Sequence, residues 1–357
     1  MIAALALSPS ALDDPGLGGA IPVIKGIHEA LRERIEAHAS IVVGSQGELG
    51  DLIEAVKALP QQLRDPWIRL LPDLKKLRRV SVIGGAGATR LQNVHTLEGL
   101  GALAELVDVT VVSTGQAAEL GAGDLGTRML DGEHLEIASL PMAAYCSTFK
   151  RLAELASVGH LEASAPREEF WDEVLRRPLH LSRNVTLLDR YLSSGLVHWH
   201  RGHREYGPWE PEVMVWLLEQ IDRHRGRGAT DSVVRFITEP RPEDGLRTAD
   251  DAARLINQYW RPSASGTIER VEITLTPWKA GGETLLAHDR HLRTDIGVAV
   301  KIHAGWGRLD KPKVWDKDGM SWQYLTKSGA LRPLQDAEQR CLLAGVSTRA
   351  VLFERVH

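Results

Sequence analysis

The chain of 357 residues has only two cysteines, Cys146 and Cys341, far apart in sequence. That excludes a disulfide scaffold or a cysteine-built zinc site and fits a reducing compartment. Long apolar runs are missing too. Nothing approaches the roughly 20 residues a membrane-spanning helix needs, and the opening Met1 to Leu7 lacks a charged n-region, so the reading is a soluble, unexported, cytoplasmic protein with no membrane span. Neither charge is in excess: 43 Lys and Arg against 47 Asp and Glu leave a formal charge of −4. This argues against a protein that coats nucleic acid by bulk charge, while a local basic cleft remains open. Aromatics make up 5% and are skewed, with ten tryptophans against four phenylalanines. Trp278, Trp306, Trp315 and Trp322 crowd the C-terminal third, where they suit core packing or the rim of a base-stacking or lipid-contacting surface. No internal repeat or low-complexity tract is present.

A hydrophobic content of 43% over this length supports two cored domains. The first half alternates strand and helix patterns. Ile2 to Leu7 is a short apolar run, Val23 to Ala37 has helical spacing, and Ser40 to Val43 is a strand. Glu48 to Leu59 and Asp65 to Leu77 are helices; Val80 to Ile83, Val109 to Val112 and Leu135 to Ala138 are strands. This order predicts an α/β domain with a parallel sheet. The expected boundary is the Ala163–Arg167 region, giving domains 1–160 and 166–357. In the second, Pro166 to Arg177 reads as a helix, Leu181 to Asp189 contains a strand, and Val213 to His224 reads as a helix. Ser232 to Ile237 follows as a strand, Asp250 to Trp260 as a helix, and Val271 to Leu275 as a strand.

The richest segment is His288-Asp-Arg-His-Leu-Arg-Thr-Asp295, with the order His-x-Arg-x-x-x-x-Asp. On a strand of period 2, His288 and Arg290 share a face, so an imidazole nucleophile and a cation can converge on one phosphoryl group while Asp289 and His291 point away. Histidine can form a covalent phosphohistidine, and arginine grips phosphate oxygens bidentately without losing its proton. The competing reading is a solvated strand edge making ordinary surface pairs.

This spacing resembles the signature of the phospholipase D superfamily, His-x-Lys-x-x-x-x-Asp, with Arg290 in place of the lysine. Together with Gly297 to Ile302 and Gly307-Arg-Leu-Asp310, it is similar to the phospholipase D-like domain at the C-terminus of MIT-domain proteins and of bacterial relatives. The segment Leu181 to Tyr191 resembles that family's first core strand, which ends in an aspartate facing the site. The likeness covers residues 170–315 and implies a mixed-sheet domain. It implies His288, Arg290 and Asp295 as catalytic, with Asp189, Arg308 and Asp310 binding substrate, and no metal or other cofactor. Because only one such motif exists, a second histidine would come from a homodimer partner. Members with this domain also bind phosphoinositide membranes without cutting. The Gly-Ser or Gly-Gly expected after the aspartate is absent where Lys301-Ile-His303 stands.

The first half is faintly similar to the PIN-like fold, a three-layer α/β arrangement. Where PIN nucleases carry a metal-holding aspartate after the first strand, this chain has Ser8-Pro-Ser10, with Asp13 and Asp14 displaced into the loop, so a degenerate, metal-free copy is implied. Glu48, Asp51 and Glu54 suit one exposed helix face or relics of an acidic cluster. The glycine loop at Val82 to Arg90 lacks the third glycine of a dinucleotide fingerprint and reads as a tight turn. His198, His200 and His203 read as a solvated loop rather than a metal site.

Three functions follow: a metal-independent phosphodiesterase, foremost a nuclease on DNA or RNA, whose combination with a PIN-like domain resembles bacterial phage-defence proteins by analogy; a non-catalytic module binding phosphate on nucleic acid or lipid headgroups; and a scaffold or sensor whose N-terminal domain contacts a protein partner.

Overall fold

The computed structural model describes residues 2–355 apart from 83–89, 101–105, 123–126, 130–134, 157–158, 207–210, 225–231, 264–265, 278–285, 287–289 and 345–347. The chain divides into two compact units, Met1–Leu155 and Ala156–His357.

The first unit is built on short apolar strands: β1 (Ala3–Leu7), β2 (Ala39–Val43), β3 (Val80–Val82), β4 (Val109–Val112), β5 (Thr127–Met129) and β6 (Glu136–Ser139). They form one sheet in the order β3-β2-β1-β4-β6-β5, parallel throughout except for the antiparallel edge strand β5. Every residue of β1, β2, β4 and β6 is buried. Both sheet faces are therefore covered, which is what near-continuous apolar runs in a parallel sheet require. The helix Ile21–His38 buries His28, Leu31, Ile35 and His38 along one stripe. The helix Gln61–Lys76 buries Leu63, Trp67, Leu70 and Leu74, and the Trp67 indole N–H donates to His28 Nδ1 at 3.0 Å.

Glu48 departs from the exposed-face reading. It opens the helix Gln46–Ala58 but is 4% exposed, accepting Gly44 N–H at 2.6 Å and Leu91 N–H at 2.8 Å. Asp51 pairs with Arg90 at 2.9 Å, and Glu54 with Lys57 on the surface. Asp14 accepts both the Thr114 amide and hydroxyl, at 2.5 and 2.6 Å, tying the loop after β1 to the end of β4. Most of the glycine loop, 83–89, lies outside the described residues.

The second unit holds β7 (Gly159–Leu161), β8 (Asn184–Leu188), β9 (Ser232–Thr238), β10 (Ile268–Leu275), β11 (His291–Thr294), β12 (Val298–Ile302), β13 (Met320–Leu325) and β14 (Thr348–Glu354). Their order is β14-β10-β9-β8-β11-β12-β13-β7. Strands β8, β9 and β10 are mutually parallel, while β11, β12, β13 and β7 continue as an antiparallel run and β14 closes the other side antiparallel to β10. Because β7 pairs with β13, this unit begins ahead of the expected Ala163–Arg167 boundary.

The helix Val213–His224, expected to be amphipathic, is buried at every position from Val213 to Leu218, its apolar first half, and reaches solvent at Arg223 in its polar second half. The expected helix after Pro166 runs Arg167–Phe170, passes through a π-turn at Trp171–Leu175, and resumes at Arg176–Leu181. The segment read as a histidine loop is instead a helix, Leu192–Tyr206, since Leu192, Leu196, Val197 and Trp199 are buried while His198 is exposed. Trp306 and Trp322 are core residues packed edge-on to Phe170, whereas Trp315 is 57% exposed; Trp278 lies outside the described residues.

Candidate functional site

The ends of β8, β9 and β11 align at one edge of the second sheet. Leu188 is in register with Ile237 on one side and His291 on the other, so the residues just beyond them, Asp189, Glu239 and Arg290, meet there. Asp189 is 1% exposed. Its carboxylate accepts Tyr191 N–H and Trp306 N–H, each at 2.9 Å, and Oδ1 lies 4.0 Å from Arg290 Nε. Burial pushes its pKa above the ordinary range, opposed by those two amides and by Arg290. Gly305 closes the pocket wall at φ +93°. A Cβ there would sit 3.0 Å from Arg290 Nη1 and 3.2 Å from Asp189 Oδ2, so the backbone conformation favours glycine and any side chain would crowd the pair.

Tyr191 gathers the cations. The guanidinium carbons of Arg241, Arg290 and Arg190 lie 4.9, 5.3 and 5.5 Å from its ring centroid, within cation–π range. Arg190 is committed to the fully buried Glu239 at 2.7 Å. Arg290 donates only a long 3.4 Å bond to the His303 carbonyl, and its buried Nε has no hydrogen-bond partner among the described residues. Arg241 reaches Glu243 only at 4.0 Å, and its Nε is likewise unpartnered. The side chains of Arg290 and Arg241 are 15% and 40% exposed. Two such forks beside one ring can grip an oxyanion from two directions.

The expected residues fare differently. His288 lies outside the described residues, and the strand begins at His291. Asp189 and Arg290 are brought together. Asp295 is not: it sits at the far end of β11, roughly 16 Å along the strand from Arg290, where it accepts Arg183 N–H and the Asn184 amide. Strand length separates the motif's two ends, so Asp295 anchors a turn and cannot orient an imidazole beside Arg290. Arg308 pairs with Asp316 at 2.9 Å and donates to the Gly319 carbonyl, holding that turn instead of lining the pocket. Asp310 turns inward, accepting Val213 N–H at 3.3 Å. Arg241 and Tyr191 were not foreseen as site residues. Their only sequence signal is position just past a strand's end.

Among the described residues no group of three or more His, Cys, Asp or Glu side chains is placed to hold a metal ion. A groove of about 340 Å³ between the helices Leu192–Tyr206 and Ala249–Ile256 has polar walls already engaged: Asp244 with Ser194, Arg201 with the Glu243 and Asp244 carbonyls, Arg254 with Asp251, and His200 with Tyr259. Among the described residues no helix is long and apolar enough to cross a membrane. No protein-family model matches the chain, and no curated protein matches its sequence.

Proposed function

We propose that the second unit binds the phosphates of a nucleic-acid strand through Arg290 and Arg241. The observation that carries this reading is the pair of guanidiniums flanking Tyr191, on side chains 15% and 40% exposed. Asp189 hydrogen-bonds backbone amides and meets Arg290 at 4.0 Å, at the limit of an ion pair. Nucleic acid is favoured over an isolated phosphate by Trp315, an exposed indole whose N–H donates to the Gly307 carbonyl at 2.9 Å, on the same turn as Gly305. Such a ring offers a face to a base.

The test is fluorescence anisotropy with a labelled single-stranded oligonucleotide at several salt concentrations. Arg290→Gln and Arg241→Gln should each weaken binding about tenfold or more and lower the salt slope by about one. Trp315→Ala should weaken oligonucleotide binding, at roughly 1–3 kcal/mol for a lost stack, while leaving inorganic phosphate binding unchanged. Equal affinity of the wild type and both arginine variants would refute the proposal.

Phosphodiester cleavage is a second reading, favoured by the Asp189–Arg290 pair, in which Arg290 follows His288 by two residues in the sequence. There His288 would attack phosphorus and a homodimer partner would supply the acid. Cleavage in excess EDTA that is lost in His288→Ala supports it; binding without turnover leaves the module non-catalytic. The mixed sheet supports a phospholipase D-like arrangement for this unit, and the parallel sheet of the first supports a PIN-like one.

A further inference from the structure

Two carboxyl groups are buried at the start of the helix Val213–His224. Glu212 is 0% exposed; its Oε2 accepts Met214 N–H at 2.8 Å, and its Oε1 has no hydrogen-bond partner among the described residues. Asp310 Oδ1 accepts Val213 N–H at 3.3 Å. Between them passes Gly195 of the helix Leu192–Tyr206, where a Cβ would meet Asp310 Oδ2 at 3.3 Å and Glu212 Oε1 at 3.8 Å. Two ionised carboxylates so enclosed repel each other in a weakly screening interior.

The surrounding charges relieve this only in part. Arg167 lies close, yet its guanidinium donates to the Pro211 and Leu309 carbonyls at 2.7 and 3.0 Å. Lys311 follows Asp310 on the exposed side, Asp189 adds a like charge from the end of β8, and the facing helix brings Gly195 against both carboxyls. Burial, with Asp189 adding to it, raises Asp310 to about 7 against the opposing Val213 amide, Arg167 and Lys311. Burial and Asp310 push Glu212 well above the ordinary range, against the Met214 and Val215 amides and Arg167.

Asp310 ends the turn whose other members hold the phosphate site. Gly305 abuts Arg290, and Trp306 N–H caps Asp189. We infer that Glu212 and Asp310 share one proton across Gly195, and that losing it loosens the 305–310 turn and weakens anion binding at Arg290. The second half of this inference rests on the phosphate-site reading above. The sign is fixed by linkage: the folded chain keeps a proton that the unfolded chain releases in the ordinary carboxylate range. Stability is therefore greatest below that range, falls as pH rises through about 7, and levels off beyond.

The experiment measures thermal unfolding of the full chain, and its affinity for a labelled oligothymidylate, from about pH 5 to about pH 8.5; the phosphodiesters keep their charge throughout. In the wild type the midpoint should fall across this range and the dissociation constant should rise about threefold or more. Glu212→Gln removes one charge and keeps a donor for Asp310, so both dependences should flatten, and Asp310→Asn should do the same. Slopes in both variants equal to the wild type would overturn the shared proton. Flattened midpoints with an unchanged affinity profile would overturn its coupling to the site. If no protein binds the oligonucleotide at any pH, the phosphate-site reading and the coupling fall together, while the midpoint slopes still decide the proton. Should one variant fail to fold, the other decides.

Discussion

Glu338 joins the helix Ser328–Leu343 to strand β11 through two residues on one face, His291 and Arg293. His291 Nε2 lies 2.9 Å from Oε1; Arg293 donates to Oε1 through Nε at 2.8 Å and to Oε2 through Nη2 at 2.5 Å. Burial pushes the Glu338 carboxyl up, but these partners outweigh it and hold it below the ordinary range. Because β11 follows directly on Arg290, this cluster also fixes the strand end that presents the guanidinium. Glu338→Ala leaves Arg293 without its counter-charge and should cost about 3–5 kcal/mol, the range for breaking a buried pair. A carboxyl with a lowered pKa contributes stability above its ordinary value that is lost as pH falls through the lowered one. Urea unfolding should thus show a large gap between wild type and variant near neutral pH, narrowing well below pH ~4; a gap independent of pH would count against the ion pair. At this scale Asp189 and Arg290 were legible because each sits in a recognisable strand-end motif. Arg241 was not, since about fifty residues separate it from Tyr191 and only strand alignment joins them.

Among the elements, β7 shows how little sequence signal a structural strand can carry. Its three residues, Gly-His-Leu, form no apolar run, yet they pair with Met320 to Trp322 at the edge of the eight-stranded sheet. Gly159 lies beneath the Trp322 indole, where a Cβ would come within 2.1 Å of Cε2 and Cζ2. The ring is wedged against Phe170 at a centroid distance of 5.2 Å and cannot swing away. Gly159→Ala should therefore destabilise the protein by about 1–3 kcal/mol, the cost of overpacking a filled core, seen as a lower urea midpoint; a change within about 0.5 kcal/mol would mean the strand yields freely. Elements defined by their own apolar pattern were legible, with Val109–Val112 and Val213–His224 falling on their expected bounds. The helix Leu192–Tyr206 reads as a loop in the sequence because its histidines and arginines interrupt the apolar period. Its buried Leu192, Leu196 and Trp199, spaced for one helical face, held the better signal.

For the molecule as a whole, the position of the break between units decides what a fragment can do. The Ala163–Arg167 stretch has the composition of a linker, but Ser164 N–H donates to the Val314 carbonyl and Val314 N–H to the Ala165 carbonyl, so this stretch is part of the second unit's fabric. A fragment beginning at Ala156 retains all eight strands and every residue around Tyr191. One beginning at Ala163 loses β7, leaves β13 as a bare edge, and uncovers the Trp322 face that Gly159 shields. Unpaired edges and exposed aromatic surface promote association. The longer fragment should unfold in a single cooperative transition, remain monodisperse by light scattering, and bind a labelled oligonucleotide within about twofold of the full chain. The shorter one should melt several degrees lower, since about 1 kcal/mol shifts the midpoint of a domain this size by roughly 2–4 °C, and should aggregate at concentrations the longer one tolerates. Equal midpoints for the two fragments would show that β7 is dispensable. A longer fragment that folds but fails to bind, beside a full chain that does, would mean the first unit supplies part of the phosphate site, and Arg241 and Arg290 would no longer suffice to account for recognition.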